Sequence, residues 1–459
     1  MSFSLFSEFS PSDKNAWVQQ ALKDLKGKDY DKTLLWNTPE GFVVEPYYTD
    51  QEVQETQLTG LQAAQQKKLG WLNQPVVVYE SERATNAAML AVLQKGVDAL
   101  TLDLRNTDLE IIEFTKLLYG IKLSDTPLFF QTNGQNTALI RALQTFIAYQ
   151  MKGGLADDGL ATWMTTGQLS ETYFAELAAI AIATKASPSF KTICVSSHVF
   201  HNAGANAAQE LAFALASAVT YADKLTDAGL DPDAVFSKLY FSVSIGTNYF
   251  MEIAKLRALR FLWQRVQVGW GIEPKIAYVH AQTSTFYDAA ITPNTNLLRA
   301  TTEAMSAVIG GCDALTVHAY DATFRTPDEF SERIARNISI LLKEESYLDR
   351  TLDPAAGSYF LENLTQQLAE VAWSLFLEVE EKGGLLAAFE QDFIQNKIEQ
   401  NATETLAALQ QGTRVMVGVN KFRVDEEVPV KYTPTPEAIN KAVSFKLLRP
   451  QRIAQTFER

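Results

Sequence analysis

From residue 75 onward the chain alternates short β-branched or aromatic runs with helical runs, and this rhythm limits the folds open to it. The runs that read as strands are PVVVYE (75–80), DALTLDL (98–104), PLFFQT (127–132), ATWMTT (161–166), KTICVSS (191–197), LYFSVSI (239–245), IAYVHAQ (276–282) and DALTVHAY (313–320). Helical patterns such as SERATNAAMLAVLQKG and AGANAAQELAFALASAVTYADKL lie between them. Eight strands, each followed by a helix, is the count of a (β/α)8 barrel, and a span of roughly 250 residues suits it. An open doubly wound sheet is the main alternative, but no Gly-x-Gly-x-x-Gly follows the first strand. We therefore expect an α/β TIM barrel over 75–345. An N-terminal extension (1–74) precedes it, and a C-terminal helical appendix and tail (346–459) follow.

The clearest unit runs from Phe241 to Ser284. Phe241, Val243 and Ile245 share one face of a strand, with Ser242 and Ser244 on the other. A helix, MEIAKLRALRFLWQRV, follows, and then a second strand ending in His280, Gln282, Thr283 and Ser284. Polar residues at the carboxyl ends of parallel strands are where such folds bind ligands. Ser196, Ser197 and His198 close another strand, and His318 a third. A barrel would gather them around one opening, as candidates for acid–base or ligand-binding roles or as hydrogen-bonded rim residues. His201 lies close by. No carboxylate pairs with these histidines at metal-ligand spacing, so no metal site is expected. Arg257, Arg260, Arg333 and Arg336 could bind phosphate, although surface ion pairs are the commoner role. Trp163, Phe200, Tyr240 and Phe286 fall at or near strand ends and hint at a closed barrel axis.

At the N-terminus, NAWVQQALKDLKG reads as an amphipathic helix with Pro11, Ser12 and Asp13 as start signals. It docks either on the parent domain or on a partner. Thr38, Pro39, Glu40 and Gly41 form a turn between extended pieces. Near the other end, QQGTRVMVGVNKFRVDEE contains a strand-like run. The formal net charge of −14 argues against nonspecific binding to nucleic acid or anionic membranes. No run approaches the ~20 apolar residues of a membrane span, and no secretory signal is seen, which leads us to expect a cytoplasmic protein. Cys194 and Cys312 sit in apolar contexts and read as buried free thiols.

Several segments resemble the methylmalonyl-CoA mutase family, the cobalamin-dependent carbon-skeleton mutases. They are TPEGFVVEPYYT, NYFMEIAK with LRALRFLW, HAQTS at 280–284, EAMSAVIGGCDALTVHAYD, FSERIARN, DPAAGSYFLENLT and VGVNKFR. The resemblance implies a barrel whose axis is threaded by the coenzyme A arm. It also implies a separate domain whose Asp-x-His-x-x-Gly histidine ligates cobalt.

Three departures from the family pattern bear on function. None of the four histidines stands in Asp-x-His-x-x-Gly, and the sequence stops at Arg459, where the linker to the cobalamin domain would begin. Catalytic chains carry Ser-Gly-Tyr-His before Ala-Gly-Ala; here the segment is ICVSSHVFHNAGA. Alignment on Ala203, Gly204 and Ala205 puts Val199 at the catalytic histidine position. WLNQPVVVYES replaces the substrate-gripping Arg-Gln-Tyr-Ala-Gly-Phe run, and the Arg-Asn-Thr-Tyr run is absent. The expectation is a small, noncatalytic subunit that supports the large catalytic methylmalonyl-CoA mutase chain. Adenosylcobalamin would belong to the complex, with none on this chain. Ser196, Ser197, His198, His280, Gln282, Thr283, Ser284 and His318 would be the rim of a vestigial pocket. The alternatives are an active acyl-CoA mutase chain borrowing cobalamin from a separate subunit, and a stand-alone binder or homodimer.

Overall fold

The computed structural model describes residues 13–52, 55–423 and 443–458. Among them, parallel strands close a barrel. Strand β1 is broken into Leu72–Asn73 and Val76–Val78. It is followed by β2 (Leu100–Asp103), β3 (Leu128–Gln131) and β4 (Gly153–Leu155). Strand β5 is likewise broken, into Phe190–Lys191 and Ile193–Ser196. It is followed by β6 (Leu239–Ile245), β7 (Val279–Thr283) and β8 (Ala314–Thr316). Two five-stranded sheets meet at the two broken strands, which makes an eight-stranded closure. Ala314 of β8 pairs with Leu72 of β1, so no edge is left open. The break in β1 falls at Pro75, which has no N–H to give a ladder.

One expected strand is a helix. Residues Gly159–Thr166 begin at Asp158, whose carboxylate accepts from the Ala161 N–H, and end at Gly167 with φ 73°. Leu160, Trp163 and Met164 are buried at helical spacing. ATWMTT is short enough to fit either period, and the flanking Asp and Gly decide it. The fourth strand is instead Gly153–Leu155, whose two glycines carry no side-chain pattern. A Cβ on Gly153 would stand 2.0 Å from the Leu128 carbonyl oxygen, and one on Gly154 would stand 2.1 Å from that of Lys191. Close backbone approach therefore demands glycine at this strand.

Strand alternation divides the residues of β6. Phe241 faces outward and meets the Trp263 ring edge-on at 5.1 Å. Tyr240, Ser242 and Ser244 face the axis. At the amino ends of the strands, Tyr240 lies 5.4 Å from Phe129 and 6.0 Å from Tyr278, and Phe129 stacks on Tyr278 at 6.2 Å, as ring centroids. With Cys194 they form an apolar layer across the axis. Of the four aromatics expected to close the axis, only Tyr240 does so. Trp163 packs on Phe389 and Phe445, Phe200 on Phe213, and Phe286 on Tyr287, all outside it.

A second shell covers part of the barrel. Helix Tyr359–Glu381 packs on helices Ala207–Asp227 and Tyr249–Gly269. Arg257 and Arg260, read from sequence as surface cations, are 0% exposed as a result. Arg257 pairs with Glu362 at 2.7 Å and with Asp353, and Arg260 pairs with Asp313 at 2.7 Å. Each has counter-charges of its own and neither offers a phosphate site.

At the N-terminal end, helix Lys14–Asp24 is capped by Asp13; Pro11 and Ser12 lie outside the described residues. It buries no residue fully. It touches the extension through a Trp17–Tyr47 stack at 5.0 Å and ion pairs from Lys14 to Glu45 and Glu52. Thr38–Gly41 turns between two short antiparallel pieces, as expected. The strand-like run near 411–423 is a turn with a single bridge, Val417 to Lys421; its continuation VDEE lies outside the described residues. Residues 443–458 then cross the carboxyl face of the barrel. Leu448 N–H donates to Met164, Gln451 N–H to Asn202 and Ile453 N–H to Phe286 main-chain carbonyls.

Candidate functional site

The polar residues at the strand ends do not form one rim. Strand alternation sends them to two clusters, one inside the barrel and one between the strands and the surrounding helices.

The inner cluster is a directed hydrogen-bond chain. The Thr316 hydroxyl donates to the Gln74 carbonyl at 2.5 Å. It must therefore accept from His280 Nε2, 2.8 Å away, which places the proton of neutral His280 on Nε2. His280 Nδ1 is then an acceptor, and Ser242 donates to it at 3.0 Å. Ser242 in turn accepts from His198 Nε2 at 2.8 Å, and His198 Nδ1 accepts from Ser244 at 2.6 Å. A branch runs from His318 Nε2 to Gln282 Oε1 at 3.1 Å.

Burial holds all three imidazoles neutral. It lowers His280 to about 3, with a further push from His318, and lowers His318 to about 4. His198 is well below the ordinary value, first through burial and then through the other histidines and Lys255.

The outer cluster is ionic. Glu210 accepts from Ser197 Oγ at 3.1 Å and from His201 Nδ1 at 2.7 Å, and pairs with Lys255 at 3.1 Å. Lys255 also pairs with Glu252 at 2.6 Å and donates to the Ser244 carbonyl at 2.8 Å. Ser284 Oγ lies 2.7 Å from His201 Nε2, and the Ser284 N–H donates to Glu303 at 2.9 Å. Burial works against ionised Glu210, but Lys255 and His201 together carry its pKa below the ordinary value. Burial raises Glu252 and Glu303. Thr283 accepts from the His318 N–H at 2.9 Å.

His198, Ser242, His280 and Gln282 of the inner cluster line a cavity of about 460 Å³ that opens at the carboxyl ends of the strands. Its base is Tyr240, Cys194 and Ala156, and Val199 lies on its wall. Asp158, on the side of β4, accepts from Tyr221 Oη at 2.6 Å and from the Ser196 N–H at 2.8 Å. Ser196, His198, His280 and Gln282 all reach this cavity. Ser197, Thr283, Ser284 and His318 do not line it. Sequence reading missed Gln74, Thr101 and Thr316, and the charged partners Glu210, Glu252 and Lys255. The first three are polar residues at inward positions of strands, a signal that becomes legible once strand register is known.

The comparisons with known proteins agree with the barrel. The family model described as methylmalonyl-CoA mutase matches residues 109–457. This chain belongs to the methylmalonyl-CoA mutase family. A methylmalonyl-CoA mutase small subunit from Porphyromonas gingivalis is 35% identical, over 91% of this chain and 71% of that protein. A methylmalonyl-CoA mutase from Cereibacter sphaeroides is 34% identical over 91% of this chain and 65% of its own length. The large subunit from P. gingivalis is 30% identical over 86% of this chain and 62% of its own length. The chain thus spans roughly two thirds of these relatives.

The residues here do not fit the family's cobalt-ligand role. Each histidine Nε2 is already engaged, by Ser242, Ser284, Thr316 or Gln282. Among the described residues no group of three or more His, Cys, Asp or Glu is arranged to hold a metal ion. No described helix is long and apolar enough to cross a membrane.

Proposed function

We propose that this chain is the small, noncatalytic subunit of a heterodimeric methylmalonyl-CoA mutase, supporting a large chain that interconverts methylmalonyl-CoA and succinyl-CoA with adenosylcobalamin. The observation that carries the reading is Val199. It stands at the position aligned with the family's catalytic histidine and lies on the cavity wall. An isopropyl group there can neither protonate a substrate nor donate a hydrogen bond to a thioester carbonyl. The relatives named small subunit, with a large-subunit relative in the same organism, support a two-chain assembly.

In this reading the extension 1–74, the barrel 75–345 and the appendix 346–459 are the working divisions, and the complex is cytoplasmic. The helix Lys14–Asp24 is the docking element, since it buries no residue fully and leaves Leu22 41% exposed. Ser196, Ser197, His198, His280, Gln282, Thr283, Ser284 and His318 are structural remnants of an ancestral pocket.

Co-expression with the large chain, size-exclusion chromatography and a mutase assay test this directly. One co-eluting peak, with activity that needs the large chain's own catalytic histidine, is expected. Two separate peaks with full activity in the large chain alone would sink the proposal. A second reading, an active acyl-CoA mutase chain that borrows cobalamin, is favoured by the open cavity and its neutral imidazoles. Turnover by this chain with a separate cobalamin-binding protein, lost on His280→Ala, would establish that reading instead.

A further inference from the structure

The barrel interior is a cup. Its mouth opens at the carboxyl ends of the strands, and its base is closed by Tyr240 and Cys194, with Phe129 and Tyr278 completing the layer. A long flexible ligand cannot pass along the axis through those stacked rings. Whatever enters must be compact and must leave by the way it came.

The wall sets the charge of such a ligand. Among the described residues Arg105 is the one Lys or Arg lining the cavity, and its guanidinium is held by Asp103 through Nε at 2.9 Å and Nη2 at 2.6 Å. The carboxylates of Asp157, Asp158 and Glu176 line the opposite balance. Among the described lining residues an anion would meet these carboxylates and no cation without a counter-charge of its own.

The wall also sets hydrogen-bond polarity. Gln74 is 1% exposed, and its Nε2 donates to Thr101 at 2.9 Å. Its Oε1 is buried, borders this cavity and has no partner among the described residues. A buried acceptor left unpaired is unfavourable, so the site calls for a donor. Hydroxyl groups meet that need and, unlike ammonium, also match the donor Nε2 of Gln282. The Tyr240 ring at the base offers an apolar surface to the carbon face of a ring compound.

We infer that this cup binds a compact, neutral, polyhydroxylated molecule of sugar or cyclitol size, and excludes coenzyme A thioesters. The inference does not depend on the heterodimer reading, because it concerns only the interior of this chain.

The test is saturation-transfer NMR and calorimetry on the full chain, with D-glucose, D-ribose and myo-inositol as probes and coenzyme A as the anionic comparator. At least one polyol is expected to bind with a dissociation constant below about 10 mM, and coenzyme A is expected not to displace it. Gln74→Leu is expected to weaken that polyol at least about tenfold. Val199→Trp, which narrows the mouth from a half-buried helix position, repeats the test if Gln74→Leu does not fold. No polyol binding, binding unchanged in whichever variant folds, or competition by coenzyme A would each overturn the inference.

Discussion

Thr316 and Gln74 are joined by a 2.5 Å hydrogen bond from a side-chain hydroxyl to a main-chain carbonyl, and this bond orients the protons along the chain through His280, Ser242 and His198. A hydroxyl has one proton to give. Once Thr316 gives it to Gln74, the tautomers of His280 and His198 follow in turn. The first prediction concerns those tautomers. Nitrogen-15 NMR of the imidazoles should find both His198 and His280 protonated on Nε2 at neutral pH. Thr316→Val should destabilise the chain by about 1–2 kcal/mol and leave His280 without its fixed tautomer. An Nδ1–H form in the unmodified protein would contradict the chain of donors.

Acid should weaken the fold through the same imidazoles. Their folded-state pKa values are depressed, to about 3 for His280 and about 4 for His318, against about 6.5 when unfolded. Below about pH 6.5 the unfolded chain binds protons that the folded chain refuses. Stability therefore falls with falling pH, by up to about 1.4 kcal/mol per pH unit for each histidine, and levels off below the folded values. Glu303, raised by burial, titrates with the opposite sign, so the comparison must be internal. Urea unfolding from pH 7 to 5 should show a shallower dependence in His280→Asn than in the parent; equal slopes would refute the assignment.

The second shell should depend on one buried cation. Arg257→Met removes the partner of Glu362, a carboxylate that is itself buried, and also frees Asp353. A loss of about 3–5 kcal/mol is expected, while changing Arg257 and Glu362 together to apolar residues should recover part of it. Denaturant titration of the two variants measures this. A single-variant loss under about 1 kcal/mol would mean the pair is not sealed from water.

Two glycine-to-alanine changes should move in opposite directions. At Gly154 a methyl group would stand 2.1 Å from a neighbouring strand's carbonyl oxygen, so the variant should fail to fold or accumulate insolubly. At Gly60, inside helix Glu55–Ala63, the nearest atom is 3.6 Å away on Phe261. There alanine should stabilise by about 0.5–1 kcal/mol through helix propensity. Expression yield and melting temperature decide both.

Much of the barrel was legible because its strands carry β-branched and aromatic residues at regular spacing. Strand β4 was not, because Gly153 and Gly154 have no side chains to form a pattern, and the nearby ATWMTT fits two periods. The site was legible as a group of residues but not as a geometry. Ser196 and Ser197, or Gln282 and Thr283, are neighbours in sequence yet point to opposite sides of the strand. The charges on helix Tyr249–Gly269 misled for a different reason. An amphipathic pattern shows which face meets the barrel, but it cannot show that helix Tyr359–Glu381 later covers the other face. Arg257 and Arg260 therefore read as solvent-facing when they are buried.

Residues 448–453 bond to Met164 and Asn202, which lie in two short helices, and to Phe286 in a turn, all of which leave the ribosome long before them. During synthesis those segments can gather around the barrel mouth but cannot be fastened. The order of translation thus leaves the carboxyl face of the barrel as the last part to set, and a chaperone holding the nascent chain would meet this face still unlaced.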